Sequence, residues 1–219
     1  MSGNLYGVYG ASGFGREVMP VVREQLSLQG VSTDRIVFVD DNPSHPKLNG
    51  HDVLTLDKFL KIDAECRYVS LAIANSSIRE KLAARCCAEG VVLFDVIASN
   101  VVRMDDVVID SGAILAPFVT ITSNVRIGKN FHANIYSYVA HDCVIGDFVT
   151  FAPAVRCNGN VVIEDHAYIG TGAILKQGRP DKPLVIGRAA VVGMGAVVTK
   201  DVPPGVTVVG NPARPLIKD

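Results

Sequence analysis

The chain of 219 residues has little of what marks several protein classes. Basic runs are absent, aromatic residues make up 6%, and the formal net charge is −1. Nucleic-acid-binding proteins concentrate lysine and arginine on one face or in one run, so nucleic acid is not an expected partner. No apolar stretch approaches the ~20 residues that cross a bilayer as a helix, so no membrane partner is expected either. Met1-Ser2-Gly3-Asn4 lacks the basic and apolar regions of a secretory signal. The five cysteines are odd in number and show no metal-ligand spacing. That is a reducing, cytoplasmic profile with no metal site.

What the sequence has instead is a beat of six. From Ile97 to Leu175 every sixth residue is apolar or small, with Arg103 the one exception. A second series, offset by four, runs from Val101 to Ala173 and has Ser137 as its one polar member. Gly, Asn, Asp, Ser and Pro, the residues that turn a chain, collect between them. A period of six fits neither an amphipathic helix nor one long strand. It is the hexapeptide β-helix repeat. Three faces of six close a triangular coil, and coils stack as parallel strands ~4.8 Å apart, so residues eighteen apart lie one above the other. The interior is filled, which leaves the outside of the prism, or the space between prisms, for any active site.

Between Leu175 and Ile186 the spacing is eleven, so five residues are inserted around 178–183. An insertion in a repeat array maps to a loop on one face. Arg179 and Lys182 on that loop, and Lys200 and Arg214 near the tail, are candidates for coenzyme phosphate contacts. A solvated loop is the competing reading.

The first 95 residues do not share the beat. Strands at 5–9, 36–39, 68–74 and 91–94 alternate with helices at 16–25 and 76–88, which argues for a parallel sheet. The expected organisation is a small truncated Rossmann-like α/β domain over 1–95 and a β-helix over 96–219. Gly10, Gly13 and Gly15 follow the first strand and open the first helix, the arrangement that cradles a phosphate on free backbone N–H groups. Their spacing, G-x-x-G-x-G, is not the dinucleotide fingerprint, and a turn that needs glycine for packing alone is the alternative. Asp40 ends the second strand where a carboxylate reaches a ribose or sugar hydroxyl; with Asp41 and Asn42 it also reads as a solvated turn. So small a sheet favours a mononucleotide or nucleotide-sugar over NAD.

On the prism the phase of His141, two after Val139, puts it at a corner, pointing outward beside Asp142. Gly159 follows eighteen residues later, one coil on. A histidine base with a backbone amide above it takes a proton from a nucleophile while the amide receives an oxyanion; a surface histidine on a turn is the plain alternative. His132 and His166 differ in phase from His141, so no three-histidine zinc set is formed.

These residues carry a resemblance that spans nearly the whole chain. Tyr9-Gly10-Ala11-Ser12-Gly13-Phe14-Gly15-Arg16-Glu17-Val18, Val39-Asp40-Asp41, Ala140-His141-Asp142-Cys143 and Cys157-Asn158-Gly159-Asn160 resemble bacterial nucleotide-sugar acetyltransferases related to the sialic acid O-acetyltransferases. Ile169-Gly170-Thr171-Gly172, Gly193-Met194-Gly195-Ala196 and Gly210-Asn211-Pro212-Ala213 add to it. The resemblance implies a left-handed β-helix, a homotrimer, and acetyl-CoA as co-substrate with no metal. It implies transfer to the 4-amino group of a nucleotide-linked 4-amino-4,6-dideoxy sugar. By position it makes His141 the general base, Asp142 its carboxylate where relatives often have Glu, and Gly159 the oxyanion donor. Asp142 either orients His141 or contacts the substrate. Thr171 and Met194 match positions that line the coenzyme, and Thr150 stands where relatives often carry histidine. Ser12, Gly13, Phe14, Gly15, Asp40 and Asp41 become the nucleotide-sugar site. Cys143 and Cys157 point inward, so transfer is direct. Acylation of a hydroxyl, and a non-catalytic nucleotide-binding scaffold, remain as the other two readings.

Overall fold

A computed structural model describes residues 3–216 of the chain, which divides into two units, Met1–Ile97 and Ala98–Asp219. The signal-peptide reading at Met1 and Ser2 lies outside the described residues. Among them, no helix is long and apolar enough to cross a membrane.

In the first unit β1 (Leu5–Tyr9) is buried along its whole length, as a strand covered on both faces must be. It pairs in parallel with β2 (Ile36–Val39) on one side and β5 (Arg67–Leu71) on the other. With β3 (Lys47–Leu48), β4 (His51–Leu54) and β6 (Val92–Leu93) the sheet order is β3-β4-β2-β1-β5-β6. Strand order therefore reverses at β1, the switch point beside which open α/β sheets bind ligands. The helices are α1 (Gly13–Ser27), α2 (Leu56–Lys61) and α3 (Ser76–Ala88). The last two are capped by Thr55 and Asn75, whose side chains accept the N–H groups of Lys58 and Ile78.

Helix α1 starts three residues before the expected 16, because the Gly-rich turn is itself the first helical turn. The turn is tight enough to need two of its glycines. Gly10 sits at φ +108, and a Cβ on Gly15 would lie 1.8 Å from the Gly10 carbonyl oxygen. The sequence pattern had no element for 44–67, where β3, β4 and α2 lie; each is too short for periodicity to register.

The second unit is a three-faced prism. One face stacks Ile114–Leu115, His132–Ala133, Thr150–Phe151, Tyr168–Ile169 and Val191–Val192. The next stacks Thr120–Ile121, Tyr138–Val139, Arg156–Cys157, Ile174–Leu175 and Val197–Val198. The third carries Val125–Ile127, Val144–Ile145, Val161–Ile163 and Leu184–Ile186. Neighbours in each ladder are eighteen apart up to residue 175. The inward series is buried from Ala113 onward, whereas Val107 and Ile109 are half-buried and Arg103 is exposed in the first coil.

Corners recur every six residues. Phe118, Asn124, Asn130, Tyr136, Asp142, Phe148, Ala154, Asn160 and His166 all sit at φ between 51 and 65. That left-handed conformation costs a non-glycine residue roughly 1–2 kcal/mol. Hydrogen bonds to the coil below offset it: Asp142 N–H to Ser123 O (3.1 Å), Phe148 N–H to Lys129 O (2.8 Å), Asn160 N–H to His141 O (3.0 Å).

Across the insertion the step becomes 23, as Val161 pairs Leu184 and Ile174 pairs Val197. The five extra residues form a hairpin closed by reciprocal Arg179–Lys182 backbone bonds of 3.0 Å.

Ser137, the polar member of the inward series, is buried and satisfied: its Oγ donates to Ala152 O (3.0 Å) and accepts Val155 N–H (3.1 Å). Ser137→Ala strands both backbone groups in a dry interior and should destabilise the prism by about 1–3 kcal/mol. Urea unfolding followed by circular dichroism measures it; an unchanged midpoint would show that the interior relaxes around the loss.

Candidate active site

The corner after Tyr138–Val139 carries His141. Because Asp142 turns the chain there at φ 58, its carboxylate folds back onto the preceding ring, and His141 Nδ1 lies 2.7 Å from Asp142 Oδ2. A carboxylate only accepts, so the Nδ1 side carries a proton, and in the neutral ring the lone pair is on Nε2. Asp142 thus orients its own neighbour. Asn124, one coil below, donates to the other carboxylate oxygen at 3.2 Å.

These two bonds, His141 first and Asn124 second, hold the Asp142 carboxyl below its ordinary value. A depressed folded-state value means that the carboxylate's stabilising contribution is complete above the unfolded value of ~3.9 and is lost as pH falls through the folded one. The carboxylate arm of the pair is therefore intact throughout the neutral range.

Gly159 lies directly over the imidazole. A Cβ there would stand 2.5 Å from both Cε1 and Nε2 of His141. Its neighbours' N–H groups are taken up by the ladder, Asn158 to Leu175 O (3.4 Å) and Asn160 to His141 O (3.0 Å). The Gly159 N–H makes no hydrogen bond among the described residues. Asn158 is held in turn, accepting from Tyr138 OH (2.8 Å) and donating to Leu175 O (2.8 Å). A lone pair and an open amide donor thus sit together on the outside of the prism. Cys143 and Cys157 are inside it, buried, with sulfurs 4.0 Å apart.

The expected coenzyme positions lie elsewhere. Thr171 and Met194 stack on the corner after the first face, joined by Gly195 N–H to Thr171 O (2.8 Å), and Met194 is 82% exposed. Thr150 is buried in the first-face strand between His132 and Tyr168. His141 and Gly159 occupy the corner after the second face, so within one chain these two groups do not meet.

The first unit holds a cavity of about 370 Å³ at the carboxyl ends of β1 and β2, lined by Ser12, Gly13 and Asp40 and by Arg16, Asn42 and His45. Ser12 makes no side-chain cap, and a Cβ on Gly13 would meet nothing within 4 Å. The α1 N-terminus is open there. Asp40 ties the cavity's two sides together, accepting Ala11 N–H (3.0 Å) and Asn42 N–H (2.9 Å).

Three expected residues do not line it. Gly15 serves helix–strand packing, Phe14 lies outside the lining, and Asp41 is engaged by Tyr9 OH (2.8 Å) and Arg85 (3.4 Å). Burial first, and Asp41 second, push the Tyr9 phenol up from its ordinary value. Arg16, Asn42 and His45 were not expected. Arg16 is one helical turn after Ser12, a spacing that does put it on the same side.

An outward histidine–aspartate pair beneath a glycine peptide on a hexapeptide prism, in a chain that also carries a small α/β domain, fits the class of hexapeptide-repeat acyltransferases. Comparison narrows it. The family model described as the PglD N-terminal domain matches residues 7–86. The chain is 53% identical over 211 residues to the GDP-perosamine N-acetyltransferase of Escherichia coli O157:H7, covering 96% of each. WeeI from Acinetobacter baumannii AYE is 59% identical with a TM-score of 0.95, over 97% of this chain and 100% of that one. The acetyltransferase domain of PglB from Neisseria gonorrhoeae FA1090, in complex with acetyl coenzyme A, is 27% identical with a TM-score of 0.82 over 96% and 98%. The chain belongs to the GDP-perosamine N-acetyltransferase family, and its prism is a left-handed parallel β-helix.

Gly159→Ala tests the packing of the imidazole. Its Cβ would displace the ring, and misplacement by about 1 Å can cost 10²-fold in rate. Turnover should fall by about that factor while the unfolding midpoint holds. Unimpaired turnover would mean that the ring does not need this position.

Proposed function

We propose that the protein transfers an acetyl group from acetyl-CoA to the 4-amino group of a nucleotide-linked 4-amino-4,6-dideoxy sugar, GDP-perosamine being the substrate of best fit. The observation that carries the mechanism is the His141–Asp142 pair beneath the open Gly159 amide. A sugar amine is protonated in neutral water and must lose its proton to attack a thioester. His141 Nε2 takes a proton from the amine, and Asp142 on Nδ1 holds the ring in the receptive tautomer and stabilises the imidazolium. General-base help of this kind is typically worth ~10²–10⁴ in rate. The Gly159 N–H faces the charge that develops on the carbonyl oxygen, a donor worth ~10²–10³. Transfer is direct, because the buried thiols are out of reach. Acetyl-CoA fits as the co-substrate because the reacting surface is open and ends beside an unused amide.

The nucleotide is assigned to the cavity of the first unit. Ser12, Gly13 and Arg16 offer the positive end of α1 to its phosphates, and Asp40 accepts from a hydroxyl or base N–H. The amine acceptor is preferred to a hydroxyl on the name of the 53%-identical relative. The five free cysteines fit a cytoplasmic reaction.

The assembly is a homotrimer in this reading. Thr171 and Met194 occupy a different corner from His141, so a second prism set corner to corner is needed to complete one site. The Thr171–Met194 corner also exposes Phe118, Ile135 and Tyr136, the first and last stacked at 4.8 Å. Burying that apolar ridge favours association.

His141→Ala should cut turnover of GDP-perosamine by ~10²-fold or more, leaving coenzyme affinity and assembly nearly unchanged; full turnover would return the residue to an ordinary surface histidine. Multi-angle light scattering should give three chains per particle. A fully active monomer would rule out a site shared between copies.

A further inference from the structure

Two thiols lie buried just inside the His141 corner: Cys143, two residues after the histidine, and Cys157, two before Gly159. Between them is the carbonyl of Asn158, the other half of the peptide that carries the Gly159 N–H. Among the described residues no backbone N–H donates to that oxygen. Cys143 Sγ lies 3.2 Å from it. The other acceptors of the Cys143 thiol are farther away, His141 O at 3.7 Å and Cys157 Sγ at 4.0 Å. His141 O is moreover already taken by Asn160 N–H at 3.0 Å. Cys157 Sγ is 3.8 Å from the Asn158 oxygen. The nearest proton for that carbonyl is therefore the one on Cys143.

The prism uses the same arrangement once more. Ser137, six residues before Cys143 in the inward series, donates from Oγ to Ala152 O, fifteen residues on. The step from Cys143 to Asn158 is also fifteen. Each of these two side chains gives its proton to the carbonyl at the same place in the coil above. The rest of the series, from Val101 to Ala173, has no proton to give. Packing does not call for a thiol at 143. Val125 and Val161 stand eighteen residues before and after it, so a valine would continue the column.

We propose that Cys143 is a positioning residue for the transfer reaction: its thiol holds the Asn158 carbonyl inside the prism and so keeps the Gly159 N–H turned outward. In a planar trans peptide the C=O and N–H point opposite ways. A carbonyl fixed on an interior sulfur therefore sends the amide proton to the outside. The inference rests on the oxyanion reading of Gly159 above and adds to it the group that orients the donor. A thiol is a weak donor, but a carbonyl left bare in a dry interior costs more than a typical hydrogen bond gains. Without the thiol, the peptide relieves that cost by rotating its oxygen toward solvent. The same rotation takes the N–H away from the reacting side. The flanking ladder bonds, Asn158 N–H to Leu175 O (3.4 Å) and Asn160 N–H to His141 O (3.0 Å), do not involve either group of this peptide.

Two substitutions separate the proton from the packing. Cys143→Val keeps an apolar side chain and removes the donor, whereas Cys143→Ser keeps a donor and gives up volume. In the valine variant kcat should fall about tenfold or more, as part of the ~10²–10³ that a whole oxyanion donor is worth. The KM values for acetyl-CoA and the nucleotide-sugar should stay, and the unfolding midpoint should match or exceed that of the wild type. Cys143→Ser should recover most of kcat even with a lower midpoint. Cys143→Thr, which has the outline of valine and one hydroxyl, repeats the comparison at constant shape. Were packing the only role, activity would follow the midpoint and the order would reverse. Infrared difference spectra of wild type against Cys143→Val read the bond itself, as an S–H stretching band at lower frequency than that of a free thiol. Full kcat in the valine variant, serine and threonine variants no better than valine, or an unshifted band each overturns this inference and leaves acetyl transfer standing. A shifted band in a wild type that acetylates no amino sugar overturns the proposed reaction and upholds the bond.

Discussion

The coil-to-coil hydrogen-bond ladder is the constraint on which the rest of the prism depends. Ala140 N–H to Cys157 O (2.9 Å) and Asn160 N–H to His141 O (3.0 Å) bracket the His141 corner from either side. Between those bonds His141 and Gly159 have no freedom to slide past one another. The imidazole and the Gly159 peptide are therefore positioned by backbone, and the side chains contribute only the last rotation. For the reaction proposed above, that is the preorganisation electrostatic catalysis requires: the ladder leaves the Gly159 N–H without a hydrogen bond among the described residues.

The same corner geometry selects the tautomer. The left-handed turn at Asp142 would suit glycine or asparagine, and the cost of a carboxylate there is met by what it does to its neighbour. In the first unit the logic differs. Two glycines let the turn after β1 close, and Asp40 at the end of β2 accepts one backbone N–H on each oxygen to hold the cavity walls. One unit places its candidate site by periodicity, the other by a single turn between strand and helix.

Much of this was legible in the sequence, for unequal reasons. The beat of six is a global signal, so the prism, the outward phase of His141 and its stacking with Gly159 could all be counted off. Asn124 could have been counted too, since it lies eighteen before Asp142. The insertion was visible as a count, but not its conformation, which depends on bonds to Gly159 and Asn160. In the first unit Gly10, Gly13 and Asp40 followed from strand–turn–helix chemistry. Asp41 did not part company with Asp40 on paper, because the direction of its carboxylate is decided by Tyr9 and Arg85, which lie 32 and 44 residues away. Arg16, Asn42 and His45 converge only once β4 is in place beside β2, and short elements leave no periodic trace. That the two outward groups on the prism belong to different corners is a matter of phase. It was readable, yet its meaning appears only when the faces are laid out.

The five-residue insertion also shows what a stack of this kind permits by way of change. Every ladder step below it spans eighteen residues and the step across it spans 23, yet the rise between coils is set by the hydrogen bonds and not by the number of residues in the turn. Contour length and axial height are thus decoupled. The prism works as a ruler with graduations ~4.8 Å apart. Groups on one edge can be moved along it only by whole graduations, while material added at a corner grows sideways without altering any interval. Drift in loop length leaves the interval between His141 and Gly159 untouched, so that spacing is insulated from the part of the molecule freest to vary.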